Sequence, residues 1–254
     1  MEDSEYIALE VAERDHPWFT LLHQMIIEEI RNFSYEAGRQ VSVLDIGCGT
    51  GGLLEKISKD CRVSNWTGIE PSRLGQEACE RKNLKIASTN LAEFKSDGKT
   101  WDIVLLIDVL FHKDVEPTEA VAKAVRLTSP DGVIIINTAA LKNLKRRHDI
   151  RVMGARRFDI KEIRSLLKAN NLQIEKAYYW NMVGAIHLLG RSLFQKLTQH
   201  TPLSEAAKER SELNANRASR IAAMVALWID SRMRNRINLP FGSSIYAVAR
   251  KQRS

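Results

Sequence analysis

Residues 44–52 read LDIGCGTGG, and the fold turns on what stands either side of those glycines. Ahead of them the run VSVLDI (41–46) is nearly all apolar, as a strand buried on both faces must be. Behind them LLEKISK (53–59) carries its apolar residues at helical spacing. A glycine loop between a first strand and a helix lets a ligand come close to the backbone, because no Cβ stands in the way. The pattern then continues. WTGIEPS (66–72) is a short strand ending in an acid, RLGQEACERK (73–82) a helix, LKIAST (84–89) a third strand, and WDIVLLIDVLFH (101–112) contains a fourth. EPTEAVAKAVRLTSPDG (116–132) is a helix closed by a Ser-Pro-Asp-Gly turn, and VIIINTAA (133–140) a fifth strand.

Strands alternating with helices at this spacing predict right-handed crossovers and an α/β, doubly wound, mostly parallel sheet. FDIKEIRSLLKANN (158–171) adds a helix with Ile160, Ile163, Leu166 and Leu167 on one side. LQIEKAYYWN (172–181) is a sixth strand and GSSIYAVARK (242–251) a seventh. Upstream of the glycine strand, DHPWFTLLHQMIIEEIRNF (15–33) is an amphipathic helix, with Asp15 as its cap and Pro17 early in it. Its apolar stripe is Leu21, Leu22, Met25, Ile26, Ile30 and Phe33. The long stretch between the sixth and seventh strands reads as helix throughout. The expectation is one domain: an N-terminal helical cap over 1–38, a cofactor-binding core over 41–180, a helical insertion over 181–240 and a final strand over 241–254.

Composition narrows the function. With 44% apolar and 27% charged residues, the chain is ordinary for a globular protein rather than a disordered one. The longest unbroken apolar run, IAAMVALWI (221–229), is too short to cross a membrane. The opening MEDSEYIALEVAERD lacks the basic start and apolar core of a secretory signal, which predicts a cytoplasmic setting. Cys48, Cys61 and Cys79 have no metal-type spacing and fit reduced thiols. Cys48 reads as a small residue filling a tight turn rather than as a nucleophile. The net charge of +7 raises nucleic acid as a partner. Its excess sits in KNLKRRHDIRVMGARR (142–157) and RMRNR (232–236), neither interleaved with the aromatics that stack bases. Solvated helix faces are the simpler reading.

Two adenosine-containing ligands suit the glycine loop. Gly47, Gly49 and Gly52 fit the G-x-G-x-x-G of dinucleotide sites, while Gly47, Gly49 and Gly51 fit the G-x-G-x-G of S-adenosylmethionine enzymes. Glu70, 23 positions after Gly47, suits the ribose hydroxyls of either. Asp45 leans toward the second. A dinucleotide brings a pyrophosphate to the helix N-terminus, whereas S-adenosylmethionine brings an ammonium and a sulfonium, which give a carboxylate beside the loop a purpose.

Along most of its length the chain resembles the class I S-adenosylmethionine-dependent methyltransferases, of small-molecule type. VLDIGCGTGGLLEKI is similar to their first motif, GIEPS to the acidic second, and WDIVLLIDVLFHKDV to the segment around their fourth strand. LTSPDGVIIINT resembles their leader-Pro-Gly-Gly turn and fifth strand, with Asp131 in place of the first glycine. The resemblance implies a seven-stranded sheet whose last strand is antiparallel. It implies S-adenosylmethionine as cofactor, with S-adenosylhomocysteine as its product. Gly47, Gly49 and Gly51 would line the methionine moiety with Asp45 near its amino group. Glu70 would bind the ribose beside Pro71 and Ser72; Asn90 and Leu91 would flank the adenine; Asp108 and Leu110 would lie near the methyl donor.

Methyl transfer is an in-line displacement, so the protein chiefly aligns the partners and excludes water. A base is required only where the acceptor must lose a proton. His112, in DVLFH at the open end of the sheet, is the candidate base, and His16 in DHPWF a candidate lid residue. Trp18, Phe19, Tyr178, Tyr179 and Trp180 are candidates for the acceptor pocket or for plain core. GARRFDIKEI resembles an arginine-arginine-tyrosine segment of small-molecule methyltransferases, with Ala155 where relatives carry histidine; Arg157 is a candidate partner for an acidic acceptor. DVLF stands where amino-methylating DNA enzymes have Asp/Asn-Pro-Pro-aromatic, so nucleic acid is disfavoured. The apolar face IAAMVALWI (221–229) suits a small or lipophilic acceptor, a homodimer contact or core. The reading is methyl transfer to oxygen or nitrogen of a small acceptor, in natural-product tailoring. Its rivals are an RNA or protein methyltransferase and a catalytically silent, cofactor-binding regulator.

Overall fold

The computed structural model describes residues 3–142, 154, 156–186, 189–190 and 239–252. Two helices, α1 (Asp3–Asp15) and α2 (Pro17–Ala37), lead into β1 (Val41–Ile46). Then come α3 (Gly52–Ser58), β2 (Val63–Ile69), α4 (Arg73–Arg81), β3 (Trp101–Ile107), α5 (Pro117–Leu127) and β4 (Thr128–Ala139). The helix α6 (Ile160–Ala169), β5 (Leu172–Trp180) and β6 (Ser244–Lys251) complete the described chain. The strands form one sheet in the order β2-β1-β3-β4-β6-β5. β2, β1, β3 and β4 are parallel, and β6 is antiparallel to both neighbours. The antiparallel last strand agrees with the expectation.

The strand count does not. Six strands, not seven, are present among the described residues. The expected third strand, LKIAST (84–89), reduces to one parallel bridge between Ile69 and Ala87. Two hydrogen bonds hold it, Ala87 N to Gly68 O at 2.8 Å and Glu70 N to Ala87 O at 3.1 Å. The segment lies outside β2 at the sheet's edge, where Lys85, Ser88 and Thr89 give no second apolar layer to extend the ladder. Asp15 is likewise not the cap of α2: it ends α1, and His16 takes that place, its Nδ1 accepting from Trp18 N at 3.3 Å. Most of the expected insertion over 181–240, residues 187–188 and 191–238, lies outside the described residues; 182–186 and 189–190 are helical.

Alternation along the strands builds two cores. Val133 and Ile135 of β4 face α2 and α3, joining Leu22, Ile26, Ile30, Leu53 and Ile57. Ile134 and Ile136 face α5 and α6, joining Val121, Ala124, Ile163 and Leu167. Each fully buried aliphatic side chain is worth roughly 1.5–3 kcal/mol, which is what makes the sheet a rigid base for its loops. α6 begins with a full capping box: Asp159 Oδ1 accepts from Glu162 N (2.9 Å), and Glu162 Oε2 from Asp159 N (3.0 Å).

Strand order decides where a ligand can go. The chain leaves β1 outward to β2 and then returns past it to β3, so the loops after β1 and β3 part at the carboxyl ends of adjacent strands. That crevice is where open α/β sheets bind ligands.

Candidate active site

The glycine loop is pinned before any ligand arrives. Gly47 N and Cys48 N both donate to Ile69 O, at 2.8 and 3.0 Å, tying the end of β1 to the end of β2. Gly51 adopts φ 80, and a Cβ there would stand 2.8 Å from both Cys79 Sγ and Leu84 Cδ1. Only glycine meets both demands. Beneath the loop Cys48 touches Cys79; that contact and burial push the Cys48 thiol far above its usual range, so it is not a nucleophile.

Three carboxylates ring this loop. Glu70 accepts from Gly49 N (2.9 Å), Ser72 N (2.9 Å) and the Tyr6 hydroxyl (3.1 Å). Glu13 of α1 accepts from Thr50 Oγ1 and from Gly52 N, the latter at 3.0 Å. Asp45 is 2% exposed, and its carboxyl lies close enough to those of Glu13 and Glu70 to feel both charges. Burial, then the charges of Glu13 and Glu70, pushes its carboxyl up to about 7. Burial also raises Glu13 and Glu70. A buried carboxyl close to two others is costly unless a cation completes it. An α-ammonium beside a sulfonium fits that demand, and a dinucleotide pyrophosphate opposes it.

At the end of β3 the chain turns at Asp108, which adopts φ 55. Its backbone N donates to Asn137 O at 2.8 Å, and its Oδ1 accepts from Asn137 Nδ2 at 3.0 Å. Asn137 is wholly buried, and its Oδ1 accepts from Trp180 Nε1 at 2.9 Å. Trp180, also wholly buried, stacks on Trp18 of α2 with ring centroids 5.4 Å apart. Polar contacts thus run from the mouth of the crevice to a pair of aromatic rings. Burial pushes Asp108 up to about 7, against the Asn137 hydrogen bond and the charge of Arg157.

Residues 14–177 match the sequence profile of a family described as a methyltransferase domain. The chain belongs to that family. It carries a methyltransferase domain. A malonyl-[acyl-carrier protein] O-methyltransferase from Halalkalibacterium halodurans is 24% identical over 156 residues, covering 58% of this chain and 56% of that protein. The match therefore spans little more than half of that relative. The plantazolicin methyltransferase BpumL, solved with a triazolic desmethylPZN analog and SAH, superposes with TM-score 0.59 at 17% identity, over 99% of this chain and 92% of that one. The N-methyltransferase NodS from Bradyrhizobium japonicum gives 0.53 at 13% identity, over 94% and 99%. The [4+2]-cyclase SpnF gives 0.52 at 16%, over 89% and 81%.

The structure of this methyltransferase brings Asp45, Gly47, Gly49, Gly51, Glu70 and Ser72 to one place. Pro71 lies exposed beside them. Asn90 Oδ1 is used locally, accepting from Glu93 N at 2.9 Å, and Leu91 packs on the core. Leu110 is wholly buried. His112 stacks on Phe111 at 4.5 Å and forms an antiparallel bridge with Gly154. His16 is exposed and serves as a helix cap. Phe19 stands edge-on to Trp18, and Arg157 donates through Nη1 to Ala140 O at 2.8 Å. Trp180 is core rather than pocket wall. Three contributors escaped the sequence reading. Tyr6 and Glu13 lie in an acidic stretch with no motif, although their i, i+7 spacing would have placed both on one helical face. Asn137 is hidden inside an apolar strand, where a lone buried amide among isoleucines was the available signal.

Proposed function

We propose that this methyltransferase modifies an oxygen or nitrogen of a small organic acceptor, as a tailoring step in natural-product chemistry carried out in the cytoplasm. In this reading Gly47, Gly49 and Gly51 present backbone to the methionine moiety, Asp45 takes its ammonium, and Glu70 takes the ribose hydroxyls. Asn90 and Leu91 border the adenine. When bound, the cofactor supplies a methyl carbon made electrophilic by its sulfonium. The observation that carries the reading is the make-up of the sheet's open end. On the β3 side Asp108 is an anchored polar group, followed by Val109, Leu110 and Phe111, with Trp18 stacked on Trp180 behind the Asn137 contact. An anchored hydrogen-bonding group beside apolar and aromatic side chains suits a small acceptor. It offers little to a nucleic-acid backbone.

A second reading has one observation behind it. Residues 142–157 carry seven basic side chains and one acid, and come after β4 in the chain. Such a stretch would attract an acidic carrier presenting a tethered acyl group, the acceptor named for the Halalkalibacterium relative. Incubation with methyl-labelled S-adenosylmethionine and an extract of the source cells, followed by size separation, tests both. Label in the small-molecule fraction supports the first reading. Label in a protein fraction that base releases as methyl ester supports the second, and label in RNA overturns both.

A further inference from the structure

The sequence points to His112 as the proton acceptor; the geometry points elsewhere. His112 is engaged in a ring stack with Phe111 and a backbone bridge to Gly154. Asp108 stands four residues earlier, at the last turn of β3, with its carboxyl held from one side only. Asn137 Nδ2 occupies Oδ1, and Oδ2 accepts no hydrogen bond from the described residues. The orientation of the Asn137 amide is not a free choice. An indole N–H can only donate, so Trp180 Nε1 forces the amide oxygen toward itself and the amide nitrogen toward Asp108. Trp180 in turn cannot rotate away, being wholly buried and stacked on Trp18. Asn137 lies on β4, on the far side of β3 from the glycine loop.

We propose that Asp108 is the catalytic base, its free carboxylate oxygen taking the proton that an oxygen or nitrogen acceptor gives up. As the acceptor atom bonds to the methyl carbon, the carbon–sulfur bond breaks with its electron pair left on sulfur. The acceptor's proton passes to Asp108 and then to water. Asn137 and Trp180 act through Asp108 as positioning residues. The surroundings suit the role. Burial disfavours the anion while the Asn137 amide and Arg157, from the segment before α6, favour it, leaving a carboxyl near neutrality rather than a strong or a useless base. The other titratable groups at this end of the sheet include Asp45 on β1, Glu70 at the end of β2, Glu13 of α1, Arg157, and His112 on the same loop. The proposal rests on the methyl-transfer reading above.

The test uses Asp108→Asn and His112→Ala in the full chain. Asparagine keeps an acceptor oxygen for Asn137 and tolerates the left-handed backbone at this position, so the variant retains the fold. Carbon-13 NMR of labelled aspartate carboxyls, on protein free of any ligand, should show two groups titrating near neutrality, Asp45 and Asp108; one of them should vanish in D108N and move to higher pH in Asn137→Ala. Calorimetry with S-adenosylhomocysteine should give D108N an affinity within about twofold of wild type. Label transfer from methyl-labelled S-adenosylmethionine into the small-molecule fraction should fall roughly 10²–10⁴-fold in D108N. The acid limb of its pH profile should disappear in D108N and persist in H112A. An Asp108 carboxyl titrating below pH 5, an unchanged D108N rate, or an acid limb lost only in H112A overturns the proposal. So does loss of S-adenosylhomocysteine binding in D108N, which would make Asp108 a cofactor contact. Absence of transfer by the wild-type protein would instead sink the methyl-transfer reading, while the carboxyl titration would still decide whether Asp108 is poised as a base.

Discussion

Replacing Asp45 by asparagine should stabilise the ligand-free protein in alkali while weakening its hold on ligand. The carboxyl is 2% exposed and titrates at about 7 in the folded chain, against 3.8 for the ordinary group. The folded state therefore holds this proton more tightly than the unfolded state does. Below pH 3.8 the group costs nothing; the cost grows as pH rises and levels off above pH 7. The plateau is about 4 kcal/mol, a gap of roughly three units at about 1.36 kcal/mol each. Asparagine has no charge to bury, but its unmet N–H donors cost about 1–3 kcal/mol at every pH. That constant cancels when wild type and D45N are compared at two pH values. Between pH 5 and pH 8 the stability difference should move by about 2.5 kcal/mol in favour of D45N. Urea titrations followed by tryptophan fluorescence measure this directly. A difference that stays flat across that range would refute the reasoning, because it would mean the carboxyl is already satisfied. In the same preparation, D45N should bind S-adenosylhomocysteine about 10–100-fold more weakly, since a charge-assisted bond worth roughly 1.5–3 kcal/mol is lost.

Tyr6→Phe removes the hydroxyl that sits on Glu70, and should lower stability by about 0.5–1.5 kcal/mol in the same urea assay. Its Glu70 lone pair then becomes available, so S-adenosylhomocysteine should bind this variant more tightly by calorimetry; weaker binding would make the hydroxyl a ligand contact. Gly51→Ala should cost at least about 1–3 kcal/mol, because it combines φ 80 with a Cβ 2.8 Å from Cys79 Sγ and Leu84 Cδ1. A thermal midpoint equal to wild type would contradict the packing described.

The parts of the fold that could be read from the sequence are those where one local pattern outweighed its alternatives. The run VSVLDI followed by glycines leaves a buried strand and an exposed loop as the reading with satisfied backbone. The capping pair Asp159 and Glu162 marks the start of α6 in the same way. LKIAST misled because its composition suits a strand, whereas pairing depends on what lies beside it, and at the sheet's edge one bridge is all that forms. The site divides similarly. Asp45, Glu70 and the glycines follow from short-range spacing. Tyr6 and Glu13 do not, because their role exists only once α1 crosses the glycine loop, with Tyr6 and Glu70 64 residues apart in the chain. Asn137 depends on contacts across 29 and 43 residues, to Asp108 and Trp180. Trp180 was read as pocket wall or core by its chemistry alone, and its burial between β4 and α2 is a tertiary fact.

The central claim is that the loop at residues 47–51, with Asp45 and Glu70, holds S-adenosylmethionine. Calorimetric titration of S-adenosylhomocysteine into wild-type protein and Glu70→Ala tests it most directly. The account predicts one-to-one binding by the wild type, and a loss of about tenfold or more in Glu70→Ala, as the two ribose hydroxyls lose a charged acceptor. Equal affinity in the two proteins, with both folded, would contradict it and place the adenosine somewhere other than the ends of β1 and β2.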